Sequence, residues 1–350
     1  MLQRGLRRIS NFAGNLTTEA KLNYISEARD WVIKWEGHYI TKNVQDTISS
    51  RITTTPDGLR NKIIHYGSSS LFTKPPHVSN RTVVTVYHIV PGDERINRII
   101  KGIESIDYIH TTNRFVLNTL LGKGVPGEKI RIIPSGVDLN MFKPTSDEQK
   151  YGLRWKLGIP DDAIVIGSFQ KDGNGWGEGM EPKLIKAPDV FIKVVERLQR
   201  AGGNIHVLLL GAARGYVKRG LDAASVPYTH IYEPNYLNMY KYYQLLDMYI
   251  VASRIEGVPK AILESMASRV PIISTKVGMA EELIIDGETG YLTEVDDIDA
   301  LFTKAQNIIE YPMKTQSMVS YAYRIVENYS WEKVGRQYYT SLYKPLVDSC

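Results

Sequence analysis

At 350 residues the chain has room for two domains of ordinary size, each with its own core. Hydrophobic residues at 43% and charged residues at 23% exclude a disordered chain, and the longest apolar runs, such as Val207–Ala213, are far too short to cross a bilayer. The net charge of +5 is spread without any basic run interleaved with aromatics, which argues against a nucleic-acid partner and leaves anionic ligands or lipid surfaces.

The N-terminus sets Leu2, Leu6, Ile9 and Phe12 or Ala13 on one helical face and Arg4, Arg7 and Arg8 on the other. That pattern makes residues 1–14 a candidate for peripheral contact at the inner face of a membrane. The competing reading is a short helix packed on the first domain, and Gly5 weakens any helix there by about 1 kcal/mol. Segments 21–26, 62–67, 82–87, 107–110 and 129–133 then read as strands, with Tyr87-His88 closing the third. Ile132-Ile-Pro134-Ser-Gly136-Val-Asp138 is a strand ending in Pro and Gly, as expected at a domain boundary.

The second half repeats the pattern, with strands at 163–169, 205–210, 248–252 and 270–274 and helices at 189–201 and 236–246. Short buried strands alternating with helices predict parallel sheets covered on both faces, hence two Rossmann-like domains that bind ligands at the strands' C-terminal edge. Asp297-Ile-Asp299 precedes a helix start, where acidic side chains complement the dipole, so no metal is expected. Ser330 is placed to cap an amphipathic C-terminal helix through Tyr343. The single cysteine, Cys350, cannot form an internal disulfide and, with no signal-peptide pattern, points to a reducing, cytoplasmic setting.

Glu256 and Glu264 carry the most chemistry. Pro259 is suited to a first helical position, which leaves Glu256 in the loop entering the helix and Glu264 about two turns along it, among Ala, Ile, Leu and Met. A carboxylate in so apolar a stretch needs a partner or a ligand. The plain alternative is an i,i+4 pair with Lys260. Gly257 keeps the backbone bare at a helix N-terminus, where N–H groups and the dipole attract phosphate. Upstream, the run from Lys171 to Lys186 alternates glycines with lysines after a strand, giving close backbone approach and positive charge for a diphosphate.

The segment spanning roughly residues 250–292, with Glu256-Gly-Val-Pro, Leu263-Glu264, Val270-Pro-Ile-Ile, a glycine turn at Gly278, Glu281 and Asp286-Gly-Glu-Thr-Gly290, closely resembles the donor-binding half of retaining glycosyltransferases of family four. Ile132–Pro144 resembles the same family's segment between its domains, about 120 residues upstream as that arrangement requires. The resemblance implies a GT-B-like fold: residues 1–20 as a basic leader, 21–140 as a short acceptor-side domain, 141–327 as the nucleotide-sugar domain and 328–350 as a helix crossing back. It implies sugar transfer from a nucleotide diphosphate donor, with retention of configuration, to a glycan, lipid-linked or other small acceptor, and no cofactor or metal beyond that co-substrate.

By the same resemblance Glu256 holds sugar hydroxyls and Glu264 the ribose hydroxyls, while Lys186 and the N–H groups of Gly257 and Val258 meet the diphosphate. His88 is expected near the reacting carbon. Two departures stand out. Gln170 occupies the family's usual Arg position, leaving Lys171 and Lys183 as candidate cations, and Ser26–Trp31 replaces the usual Gly-Gly loop. The alternatives are another enzyme on this fold, an epimerase or phosphorylase, or a nucleotide-sugar-binding subunit without turnover.

Overall fold

The computed structural model describes residues 2–28 and 32–348, so Arg29–Trp31 of the expected first loop and Cys350 lie outside the described residues. The chain divides into two compact units, Met1–Gly136 with Trp331–Cys350, and Val137–Ser330.

The first unit holds six parallel strands: β1 Leu22–Ile25, β2 Ser50–Thr53, β3 Ile63–Tyr66, β4 Arg81–Thr85, β5 Tyr108–Thr111 and β6 Ile130–Ile132, in the order β2-β1-β3-β4-β5-β6. Leu22 pairs with Ile63 and Ile25 with Tyr66, and both strands are buried at every residue, as strands covered on two faces must be. Ile99 and Val116, from the helices Glu94–Lys101 and Arg114–Gly122, pack with Ile64, Val84 and Ile109. The edge strand β2 has no counterpart among the expected strands, because Ser-Arg-Ile-Thr carries no apolar run.

The N-terminal helix, Leu2–Thr17, packs on this unit through its second half; the side chains of residues 2–9 lie outside the described residues. Buried Asn15 donates to the carbonyls of Thr55 (2.9 Å) and Asp57 (2.8 Å), and Asn11 donates to Thr54 Oγ1 (2.6 Å). At the other end of the chain Trp331 stacks on Tyr39 with ring centroids 5.1 Å apart. A π turn over Tyr339–Tyr343 then carries the Tyr343 phenol to His65.

His65 starts a buried chain of hydrogen bonds that the sequence did not announce. His110 Nε2 lies 2.9 Å from the Ile133 carbonyl, which only accepts, so Nε2 carries the proton and Nδ1 accepts from Thr85 (2.9 Å). Thr85 Oγ1 therefore accepts from His65 Nε2 (2.7 Å), and His65 Nδ1 accepts from the Tyr343 hydroxyl (2.6 Å). Every donor direction follows from that one carbonyl.

The second unit holds β7 Ile164–Ser168, β8 Ile205–Leu210, β9 Tyr228–Ile231, β10 Met248–Val251, β11 Ile272–Thr275 and β12 Tyr291–Thr293, all parallel, in the order β12-β11-β10-β7-β8-β9. Ile166, Val207 and Ile250 face Phe191 and Leu301 on one side; Val165, Leu208 and Tyr249 face Leu263 on the other. The chain runs outward from β7 to β9, then returns to lay β10 beside β7. The order of strands reverses there.

Two local expectations are corrected. In place of one helix over 236–246 the chain makes a 3-10 turn, Tyr236–Asn238, and a single helical turn, Tyr240–Tyr243. Four tyrosines lose side-chain freedom in a helix, and Asn235 caps the short turn by accepting from the Leu237 N–H at 3.1 Å. Pro259 stands at the cap of the helix Lys260–Ala267, one residue before its expected place, with a non-helical ψ of 88°.

Candidate functional site at the switch point of the second unit

In an open parallel sheet, ligands bind at the C-terminal ends of the strands where strand order reverses. Here that edge brings Gln170, two residues past β7, against Ser253 and Glu256, just past β10. Ser253 Oγ lies 3.1 Å from Gln170 Oε1 and 2.9 Å from Glu256 Oε1. Gln170 Nε2 donates to the Lys186 carbonyl at 3.1 Å, which turns its oxygen toward Ser253. The Lys186 ammonium pairs with Glu256 Oε1; their side chains are 18% and 11% exposed.

A rigid frame holds this group. Lys186 ends a 3-10 turn, Leu184–Lys186, and is followed by buried Ala187 in the left-handed region at φ 47°, where Pro188 begins the next helix. Backbone N–H groups of Arg254 and Ile255 donate to the Ile185 carbonyl at 2.9 and 3.1 Å. The Arg254 guanidinium spans Asp189 (2.7 Å) and Asp296 (2.8 Å), which raises its own pKa, while hydrogen bonding to Arg254 lowers that of Asp189.

Gly257 and Val258 lead into the helix Lys260–Ala267, at its positive end. Gly278, with φ 52°, lies so close to them that a Cβ would overlap the Gly257 carbonyl oxygen, and Met279 N donates to that oxygen at 3.1 Å. Further along the helix Glu264 is 4% exposed, and tyrosines occupy both of its oxygens: Tyr236 donates to Oε1 and Tyr243 to Oε2, each at 2.6 Å. Burial, then the Glu264 carboxylate, pushes the Tyr243 phenol well above its usual pKa. The Lys260 ammonium lies 5.7 Å from the centre of the Tyr236 ring.

The glycine-rich loop is anchored, not loose. Gly173 pairs with Pro182, Asn174 N donates to Glu181 O (2.9 Å), and Lys183 N donates to Asp172 O (2.7 Å). Backbone N–H groups of Gly215 and Tyr216 donate to Glu178 and Gly179 carbonyls at 2.7 and 2.9 Å. Beneath it the fully buried Arg214 donates to the carbonyls of Ser168 and Gln170 and pairs with buried Asp172 at 3.0 Å. Burial raises the Asp172 pKa and lowers that of Arg214. From the start of the loop Lys171 Nζ reaches to 4.2 Å from the ring centre of half-exposed Trp176.

Of the residues singled out in the sequence, the second unit thus gathers Gln170, Lys186 and Glu256, with Gly257, Val258 and Glu264 on the adjoining loop and helix and Lys171 and Lys183 on the glycine loop. His88 belongs to the first unit, half-buried beyond β4, close to Asp93, whose carboxyl is held below its usual pKa, against its burial, chiefly by hydrogen bonds from Arg95. Asp297 caps the helix Ile298–Glu310 by accepting from Ala300 N at 2.9 Å, and Asp299 pairs with Arg197. Among the described residues no three His, Cys, Asp or Glu side chains cluster as a metal site.

Arg214, Ser253, Tyr236 and Tyr243 escaped the sequence reading. Ser253 opened the motif at Glu256, the tyrosine-rich run was the available signal for Tyr236 and Tyr243, and Arg214 carried none.

Residues 179–311 match the family model for glycosyl transferases group 1. Among curated relatives, the GDP-mannose-dependent alpha-(1-6)-phosphatidylinositol monomannoside mannosyltransferase of Mycolicibacterium smegmatis is 24% identical over 65% of this chain and 60% of its own length. A D-inositol 3-phosphate glycosyltransferase of Segniliparus rotundus is 23% identical over 63% of this chain and 50% of its own. The chain therefore spans less than two thirds of these relatives. Among solved structures, Anabaena Alr3699/HepE in complex with UDP and glucose superposes with a TM-score of 0.76 at 16% identity, over 93% of this chain and 99% of that one. A sucrose-phosphate synthase from Thermosynechococcus elongatus gives 0.69 at 19% identity, over 93% and 81%. At such identities the likeness is one of fold.

Proposed function

We propose that this chain, whose residues 179–311 match the group 1 glycosyltransferases and which has the GT-B fold, transfers a sugar from a nucleotide diphosphate donor to a hydroxyl of a glycan or lipid-linked acceptor, with retention of configuration. The observation that carries this reading is the Lys186–Glu256–Ser253–Gln170 group at the switch point, next to a helix start led by Gly257 and Val258. A diphosphate needs positive charge and N–H donors without a bulky side chain in the way, and both are assembled there.

In the proposed reaction the bond between the anomeric carbon and the phosphate oxygen breaks, and its electron pair leaves with the diphosphate. The acceptor oxygen bonds to the same face, and its proton passes to the departing phosphate oxygen. Lys186 and the N–H groups of Gly257 and Val258 stabilise the growing negative charge, the term expected to dominate. Glu256 orients sugar hydroxyls, and Glu264 accepts from the ribose. No metal is assigned a part. To His88 we assign a role in the transfer step itself: His88→Ala should lower kcat by about 10²-fold with nucleotide affinity unchanged.

The names of the relatives favour acceptors built on inositol or its phospholipids, and thus an acceptor at a membrane surface. Peripheral attachment through residues 1–14 fits that acceptor class; among the described residues no helix is long and apolar enough to cross a membrane. Release of free nucleoside diphosphate from a panel of nucleotide sugars, with and without acceptor, tests the activity. Turnover of a donor supports transfer; binding without any turnover reduces the protein to a binding subunit.

A further inference from the structure

We propose that Tyr236 is a displaceable cover on Glu264: its hydroxyl leaves the carboxylate when the ribose of a nucleoside diphosphate enters and takes its place. The inference rests on the donor-site reading above and adds a residue which that reading does not contain.

Glu264 has one oxygen on each of two phenols, Tyr236 and Tyr243, both at 2.6 Å. These two bonds differ in setting. Tyr243 is 1% exposed, stacks on Tyr249, and forms part of the core beneath the helix. Tyr236 is half-buried and sits on the 3-10 turn Tyr236–Asn238, where an unbroken helix would have been expected. Short 3-10 segments have poorer hydrogen-bond geometry than α-helix and often mark hinges. Of the three side chains Tyr236 is the most exposed, and the proposal places it on the side from which a ligand reaches Glu264.

A carboxylate that is 4% exposed cannot be left without donors, because an orphaned buried charge is costly. A cover that supplies a hydroxyl satisfies it while the site waits. A ribose supplies two vicinal hydroxyls, so exchanging one phenol for them leaves Glu264 at least as well bonded. The exchange still takes away the Tyr236 bond, which lowers the apparent affinity of the wild-type site for nucleotide.

The sign of that effect is the test. Calorimetric titrations with UDP and with GDP on wild type, Tyr236→Phe and Tyr243→Phe should show Tyr236→Phe binding its nucleotide about tenfold more tightly, since hydrogen bonds to charged groups are worth that much or more. Tyr243→Phe should show no tightening. Unchanged or weaker binding by Tyr236→Phe, or equal tightening by Tyr243→Phe, overturns the proposal. Fluorine NMR of fluorotyrosine-labelled wild-type protein gives a reading that needs no folded variant: one resonance, lost in Tyr236→Phe when that variant folds, should move on nucleotide addition, and none moving overturns it. If the wild type binds neither nucleotide, the donor-site reading itself fails; if it binds and Tyr236→Phe does not tighten, only the cover fails.

Discussion

Lys186 and Glu256 already neutralise one another in a site that is mostly closed to water. In the proposed reaction a donor diphosphate arriving beside them adds negative charge, and that charge grows as the sugar–phosphate bond breaks. Lys186 should therefore matter more to the transition state than to binding. Lys186→Ala is expected to lower kcat by a larger factor than it raises KM, read from steady-state kinetics on the preferred donor. A rise in KM alone would make Lys186 a ground-state contact. Arg214 shows the limit of reading single residues from sequence. In Gly-Ala-Ala-Arg214-Gly-Tyr an arginine among small residues resembles any solvated loop cation, yet the fold buries it completely against Asp172 and three carbonyls. Arg214→Met strands the Asp172 carboxyl, and urea unfolding should show a loss of about 3–5 kcal/mol. Lys186 and Glu256 were legible through the family motifs that Lys186-Ala-Pro-Asp189 and Glu256-Gly-Val-Pro259 resemble, a signal that the run around Arg214 lacks.

Elements were legible where burial on both faces forces a continuous apolar run, as in β3, β8 and β10. They were hidden where burial is partial: β2 and β9 sit at sheet edges, and β12 has only three residues. The turn after β11 depends on Gly278. Its φ of 52° costs an L-residue about 1–2 kcal/mol, and the overlap of a Cβ with the Gly257 carbonyl adds to that. Gly278→Ala should thus lower stability by at least that amount and, by pushing on Gly257, weaken nucleotide binding as well. In the first unit, burial lowers the His110 pKa to about 4 and holds His65 well below its usual value, with His110 a second cause for His65. Both are neutral when folded and take up protons on unfolding near their ordinary pKa of about 6.5. Stability from this pair is therefore complete above about pH 6.5 and is lost as the pH falls toward 4, with a slope of up to about 1.4 kcal/mol per pH unit for each histidine. Urea midpoints at a series of pH values should show this fall, and His110→Gln should flatten it.

Over the whole molecule, alternation of strand and helix was enough to read two Rossmann-like units and parallel sheets. Alternation alone did not show that the chain re-enters the first unit at Trp331, since a helix opening on Trp-Glu-Lys reads the same wherever it packs; only the family resemblance implied a helix crossing back over residues 328–350. The indole stacked on Tyr39 settles that placement. The N-terminal helix was open to two readings, and its described half packs through Asn11 and Asn15. Deleting it would remove those anchors, so a charge change is the cleaner probe of membrane contact. Replacing Arg4, Arg7 and Arg8 with Gln should reduce co-sedimentation with anionic vesicles, each basic residue contributing about 1 kcal/mol near such a surface, and should leave activity on a soluble acceptor intact.

The central claim is that the switch point of the second unit binds a nucleotide diphosphate sugar through Glu264, and thermal unfolding across a panel of nucleotide sugars tests it most directly. A ligand that binds only the folded state at a hundred times its Kd adds about 2.7 kcal/mol of stability. At least one donor should raise the Tm of the wild-type protein, and the same donor should raise that of a folded Glu264→Ala variant by much less. A panel that leaves the wild-type Tm unmoved, or an equal shift in the variant, would contradict the account.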